Sequence, residues 1–292
     1  MTNFGNMYGP KFTFLGIPEC DLDKPESYKG ADVIIVGAPI DSGTSHRSGA
    51  KFGPQAIRMG DYLPHDAERP HLALRVDGLK DLKIFDVGDL LMPPGNLEES
   101  LKVLKSATEK ISRAGAIAVV LGGDHSIASA DVAGIAAHRG AGKISMIHFD
   151  AHADTGDLQF GALVGHGTPM RRLIDSGAVR GDRFLQLGLR GYWPDNATLN
   201  WMRDQGMRSY EMTEIHHRGL TAVLDESFAR LTDGCDGVFL SVDIDVVEVS
   251  PPFDTADITA ILANRVVLEA VSAIAKRRSG TTYSPTQNLL DR

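Results

Sequence analysis

The sequence predicts an α/β fold with a mostly parallel sheet and helices on both faces. Three observations predict it. Five runs, ADVIIV, AIAVVL, KISMIHF, RFLQLGL and GVFLSVDIDVV, are more continuously apolar than strands with one solvated face. Stretches of helical period separate them, the signature of β-α-β units. Three of these runs lead directly into aspartate and histidine, and in parallel sheets functional groups gather beyond the carboxyl ends of strands.

The chain has 292 residues, of which 42% are hydrophobic and 23% charged, so it can bury a large core. The expected organisation is an N-terminal arm over residues 1–30 and a single α/β domain over residues 31–292. A net charge of -8, with no basic helix, argues against nucleic acid as a partner and suits a small or cationic substrate. The two cysteines, Cys20 and Cys235, lack metal or redox spacing, so a reduced, cytoplasmic protein is expected. No long continuous apolar span or signal-like N-terminus is read, and no membrane association is expected.

Taken in order, ADVIIV (31–36) is the first strand. The loop after it, GAPIDSGTSHRSGAKFGPQAIR, ends with Pro54 placed to start a helix. That loop has neither GxGxxG spacing nor a GK[ST] ending, so it is not a phosphate cradle. A short strand is expected at 82–85. Residues 97–114 read as an amphipathic helix capped by Asn96, with Leu97, Leu101, Leu104 and Ile111 inward. A strand at 116–121 then meets a Gly-Gly turn, Asp124 and His125, and a helix runs to about residue 137. Strand KISMIHF follows. A short helix is expected at 168–176, a strand at 183–189, helices at 196–205 and 219–231, and SYEMTEI between those helices as a strand and connection. The last helix spans 258–276, with Asp254 and Thr255 as cap candidates and KRR at its end.

The chemistry concentrates at strand ends. After the apolar run at 144–149, Asp150, His152 and Asp154 recur at every second residue, a spacing that starts all three on one face of an extended backbone. His125 follows another strand, and Asp243 and Asp245 end a third. Ionisable groups converging at the end of an apolar strand need compensation, and a divalent cation supplies it. Mixed carboxylate and imidazole ligands suit manganese, iron or zinc better than calcium. His125, Asp150, His152, Asp154, Asp243 and Asp245 suffice for two ions about 4 Å apart that activate a shared solvent molecule. His166 is assigned to proton transfer. His148 is read as a hydrogen-bonded core histidine rather than a ligand. Glu248 can pair bidentately with a guanidinium.

The motifs GGDHS (122–126), FDAHADT (149–155), GHGTPM (165–170), SVDID (241–245) and EVSPP (248–252) together resemble the arginase and agmatinase, or ureohydrolase, family. The resemblance extends through nearly the whole chain. It implies a three-layer α/β/α fold around a sheet of eight strands, two manganese ions per subunit and assembly into trimers or hexamers. His125 and Asp154 would serve one ion, His152 and Asp245 the other, with Asp150 and Asp243 shared. A hydroxide between the ions would attack the guanidinium carbon, His166 would shuttle the proton, and Glu248 would orient the substrate.

One feature departs from that family. Its members carry a loop, a helix and a strand between SVDID and the glutamate before VSPP. Here the chain reads SVDIDVVEVSPP, although a crossover between adjacent parallel strands needs about a dozen residues. A connection of the family fold is therefore missing between Val247 and Glu248, which leaves a catalytically impaired metal-binding relative as one alternative. The leading expectation is conversion of agmatine to putrescine and urea. A guanidino-acid hydrolase of guanidinobutyrase, guanidinopropionase or proclavaminate amidinohydrolase type is the other alternative. A phosphatase or deacetylase with a similar binuclear site fits less well, because no loop is built for phosphate.

Overall fold

Strand formation follows the apolar runs, and the computed structural model describes it over residues 12–60, 70–232, 234–243, 250–281 and 284. In chain order the elements are β1 (Val33–Ala38), α1 (Gly53–Met59), α2 (Gly78–Asp81), β2 (Ile84–Asp89), α3 (Leu97–Arg113) and β3 (Ile117–Gly122). They continue as α4 (Ile127–Arg139), β4 (Ile144–Phe149), α5 (Pro169–Asp175), β5 (Val179–Leu189) and α6 (Asn196–Asp204). The last are β6 (Arg208–Glu211), α7 (Met212–Arg218), α8 (Leu220–Leu231), β7 (Gly237–Val242) and α9 (Ile258–Arg278).

Strand pairing is parallel throughout these elements, as the buried runs predicted. The strands form two sheets among the described residues, ordered β2-β1-β3 and β6-β5-β4-β7. The single eight-stranded sheet implied by the family resemblance is thus divided between β3 and β7. Both of those strands are sheet edges among the described residues.

Each half is three-layered because its strands alternate two apolar faces. In β1, Ile34 and Val36 pack with Ala107 and Ile111 of α3, whereas Val33 and Ile35 pack with Ile57 of α1 and Val267 and Val271 of α9. In β4, Ile144 and Met146 meet α4 and α5, and Ile147 meets Val223 and Leu231 of α8. The expected arm is tied to this core: Phe14 is fully buried, and the Cys20 amide donates to the Asp86 carbonyl.

Helix ends follow the local chemistry. Asn96 accepts from the Glu99 amide at 3.2 Å, so α3 starts where its cap predicts. The Asp254 carboxylate accepts from the amides of Thr259 and Ala260 at the start of α9, although Asp257 holds the cap position itself. Contrary to the expectation of no long apolar span, α9 is long and apolar enough to cross a membrane by length and composition. Ala263, Val267, Val271 and Ala275 are part of the core around β1, whereas Ile258 and Leu262 are exposed. Arg58 is structural: its guanidinium is buried between Asp86 and Asp89, pairing that offsets the cost of burying charge.

Candidate metal centre

The ends of β3, β4 and β7 meet at one point, and His125 is its hub. Nδ1 of His125 lies 2.7 Å from Asp154 Oδ2, 3.3 Å from Asp150 Oδ2 and 3.5 Å from Asp243 Oδ2. Its Nε2 lies 2.9 Å from the Ser241 hydroxyl on β7. An imidazole that ligates through Nδ1 must keep its proton on Nε2, so Ser241 is placed to accept it.

The donor set fits a divalent cation. Ligand atoms of His125, His148, Asp150 and Asp154 lie within 4.8 Å of one another, and all four residues are buried. With protein groups alone, burial disfavours the His125 imidazolium, but hydrogen bonds to Asp150 and Asp154 outweigh it and hold its pKa well above the usual histidine range. Burial likewise opposes the Asp150 carboxylate, and hydrogen bonds from His125, His148 and His152 overcome that to hold its pKa far below the ordinary range. These carboxylates gather positive charge at the point where a cation would bind.

The spacing of Asp150, His152 and Asp154 works differently from strand alternation. Strand β4 ends at Phe149, and the chain then bends, with Asp154 in the left-handed region at φ 50°. That turn brings Asp154 back to His125 and leaves the His152 side chain 58% exposed, 3.5 Å from Asp150. The structure therefore unites His125, Asp150 and Asp154, sets Asp243 at their edge and leaves His152 outside the tight cluster. Asp245 and Glu248 lie outside the described residues.

His166 is fixed by the loop after β1 rather than by the cluster. Its Nε2 accepts from the Ser45 amide at 3.2 Å and lies 2.9 Å from the Ser45 hydroxyl. Gln159 stitches the same two loops, donating to the Gly43 carbonyl and accepting from the Gly167 amide. Asp124, which composition alone left without a role, anchors the loop by accepting from the Gly43 amide at 2.7 Å. A Cβ on Gly43 would lie 2.8 Å from Asp124 Oδ1, so this approach requires glycine. Ser45, Asp124 and Ser241 were not singled out as site residues in the sequence, because their roles depend on partners from distant segments.

The sequence model of the Arginase family matches residues 31–247. The chain is 29% identical to the guanidinobutyrase of Pseudomonas aeruginosa over 91% of its own length and 93% of that protein's. It is 35% identical to the proclavaminate amidinohydrolase of Streptomyces clavuligerus over 75% of this chain and 68% of that protein. Among solved structures, the proclavaminate amidinohydrolase from Streptomyces clavuligerus superposes with a TM-score of 0.78 and 28% identity, covering 92% of this chain and 98% of that one. The guanidinobutyrase alignment has 306 positions but takes in 91% of the 292 residues, about 266, so about 40 positions have no residue of this chain opposite them. The family match stops at Val247, the residue before that shortened junction. By this match, and by the His–Asp cluster at the strand ends, the chain belongs to the arginase family.

Proposed function

We propose that this protein hydrolyses a linear guanidino compound to urea and an amine with the help of two manganese ions. The observation that carries the proposal is the buried convergence of His125, Asp150 and Asp154 in a chain of the arginase family. When bound, divalent cations would neutralise these carboxylates and activate water near neutral pH.

The residues divide the remaining work. His125 and Asp154 would hold the first cation, with Asp150 and Asp243 shared between the two. The exposed His152 would serve the second, with Asp245 assigned to it by its place in SVDID. His166 takes up and releases a proton from the loop where Ser45 holds its ring. Glu248 receives the planar guanidinium.

Agmatine is one candidate substrate, and a guanidino acid is the other. Two observations favour the acid. In the candidate tail segments 157–164 and 191–196 the carboxylates have partners: Asp157 pairs with Arg171 and Arg172, and Asp195 caps α6 through the Thr198 amide. Arg190, whose Nη1 donates to the Gly188 carbonyl at 3.0 Å, adjoins the 191–196 segment in sequence and carries a guanidinium that suits a carboxylate. Relatives named guanidinobutyrase, guanidinopropionase and agmatinase all match most of the chain, so their names leave the choice to the residues.

The shortened junction supports a second reading, a relative that binds metal without turning over. A urea-release assay with manganese across agmatine, arginine, 4-guanidinobutyrate and 3-guanidinopropionate separates these readings. Urea from a guanidino acid is the expected result. Urea from agmatine alone would reverse the substrate order, and bound manganese with no urea from any of the four would establish the non-catalytic relative.

A further inference from the structure

We infer that a row of polar residues crossing the four-stranded sheet is a positioning layer beneath the metal centre, with His148 as its working member. Strand register places Ser241 of β7 opposite His148 of β4, His148 opposite Gln186 of β5, and Gln186 opposite Ser209 of β6. The row thus runs through every strand of the sheet. His148 and Gln186 are fully buried, in a setting where an unsatisfied polar group is costly.

The direction of the hydrogen bonds is fixed from a backbone carbonyl. The Ala153 carbonyl can only accept, and it lies 2.6 Å from Gln186 Nε2. That contact orients the amide, leaving Gln186 Oε1 to accept from the Ser209 hydroxyl at 3.0 Å. The second hydrogen on Gln186 Nε2 then points to His148 Nδ1 at 3.2 Å. Nδ1 must accept, so the ring proton resides on Nε2 and is donated to Asp150 Oδ2 at 2.7 Å.

This order gives His148 a role that proximity alone does not. Although Nε2 lies within reach of the cluster, it carries a proton and cannot be a ligand. It aims Asp150 instead. At the other end of the row, Ser241 holds Nε2 of His125, so one layer orients both an imidazole and a carboxylate of the site. Such partners typically change metal affinity by about tenfold to a hundredfold.

The inference uses the metal-site reading for its consequence, but the tautomer can be read without metal or substrate. Nitrogen-15 NMR of the histidine rings in the metal-free full chain should show His148 as the Nε2–H form; an Nδ1–H form would overturn the proposal. Calorimetric titration with manganese(II) should then show His148→Phe about tenfold to a hundredfold weaker than the unmodified chain, and Gln186→Leu also weaker. His148→Gln restores an N–H toward Asp150 and should recover most of the affinity. Unchanged affinity in His148→Phe, or His148→Gln as weak as His148→Phe, would contradict positioning by the donated hydrogen bond. If the phenylalanine variant does not fold, the tautomer and the glutamine variant still decide. The expected tautomer and affinities without urea release would sink the proposed hydrolysis while leaving the positioning layer intact.

Discussion

Strands β4 and β7 bring ligands to the same point, yet their surroundings differ. Strand β4 is paired on both sides, by β5 and β7, and its odd-numbered face is closed by α8. Strand β7 is paired only with β4 among the described residues. Register partners make the contrast direct: Ile147 and Leu240 lie side by side, but Ile147 is 3% exposed and Leu240 is 49% exposed. Val238, Val242 and, on the edge of the other sheet, Ile117 are exposed as well. Asp150 and Asp154 follow the strand that is paired on both sides, whereas His125 follows β3 and Asp243 follows β7, both sheet edges among the described residues. The residues that aim Asp150, His148 and behind it Gln186, belong to the paired strands β4 and β5.

The largest effect that sharpens this contrast is expected at Asp150. Replacing it with Ala removes the acceptor shared by His125, His148 and the His152 amide, and elemental analysis should find no manganese retained. Retention of both ions would place the centre elsewhere. Next, His152→Ala should lose one ion and most turnover while retaining the other, because its exposed ring lies outside the tight cluster. Loss of both ions would make the two positions inseparable.

The stability comparison is smaller. Ile147→Ala should cost about 2–5 kcal/mol in denaturant unfolding, the usual range for a core isoleucine, whereas Leu240→Ala should cost less than about 1 kcal/mol, closer to a surface change. Equal costs would mean that the β7 face is covered in solution. The last effect depends on pH and concerns Asp131 on α4. Burial raises its carboxyl pKa to about 7, and its Oδ1 has no hydrogen-bond partner. A pKa raised on folding disfavours the folded state as pH rises from the unfolded value near 4 to about 7. Asp131→Asn should therefore stabilise the protein at neutral pH, with the gain fading below about pH 4. A constant gain across that range would rule out this cause.

Much of this arrangement was legible in the sequence, and the exceptions have physical reasons. The apolar runs located β1, β3, β4 and β5, and Asn96 and Asp254 marked helix starts through their capping chemistry. The GVFLSVDIDVV run located β7, which spans Gly237–Val242, and residues 244–247 of that run lie outside the described residues. The expectation that Asp150, His152 and Asp154 share one face did not hold, because strand alternation stops at Phe149, where the chain bends. His148 was correctly read as a hydrogen-bonded core residue, but the row it belongs to was not, since Gln186, Ser209 and Ser241 come from three other strands. A polar residue within each run was the signal available for that row. Asp245 and Glu248, assigned from motifs alone, lie outside the described residues.

The most direct test of the account is manganese-dependent urea release by the full chain from 4-guanidinobutyrate, measured beside Asp150→Ala. The account predicts urea from the unmodified chain and none from the variant. Bound manganese with no urea from the unmodified chain, or equal release from both, would contradict it.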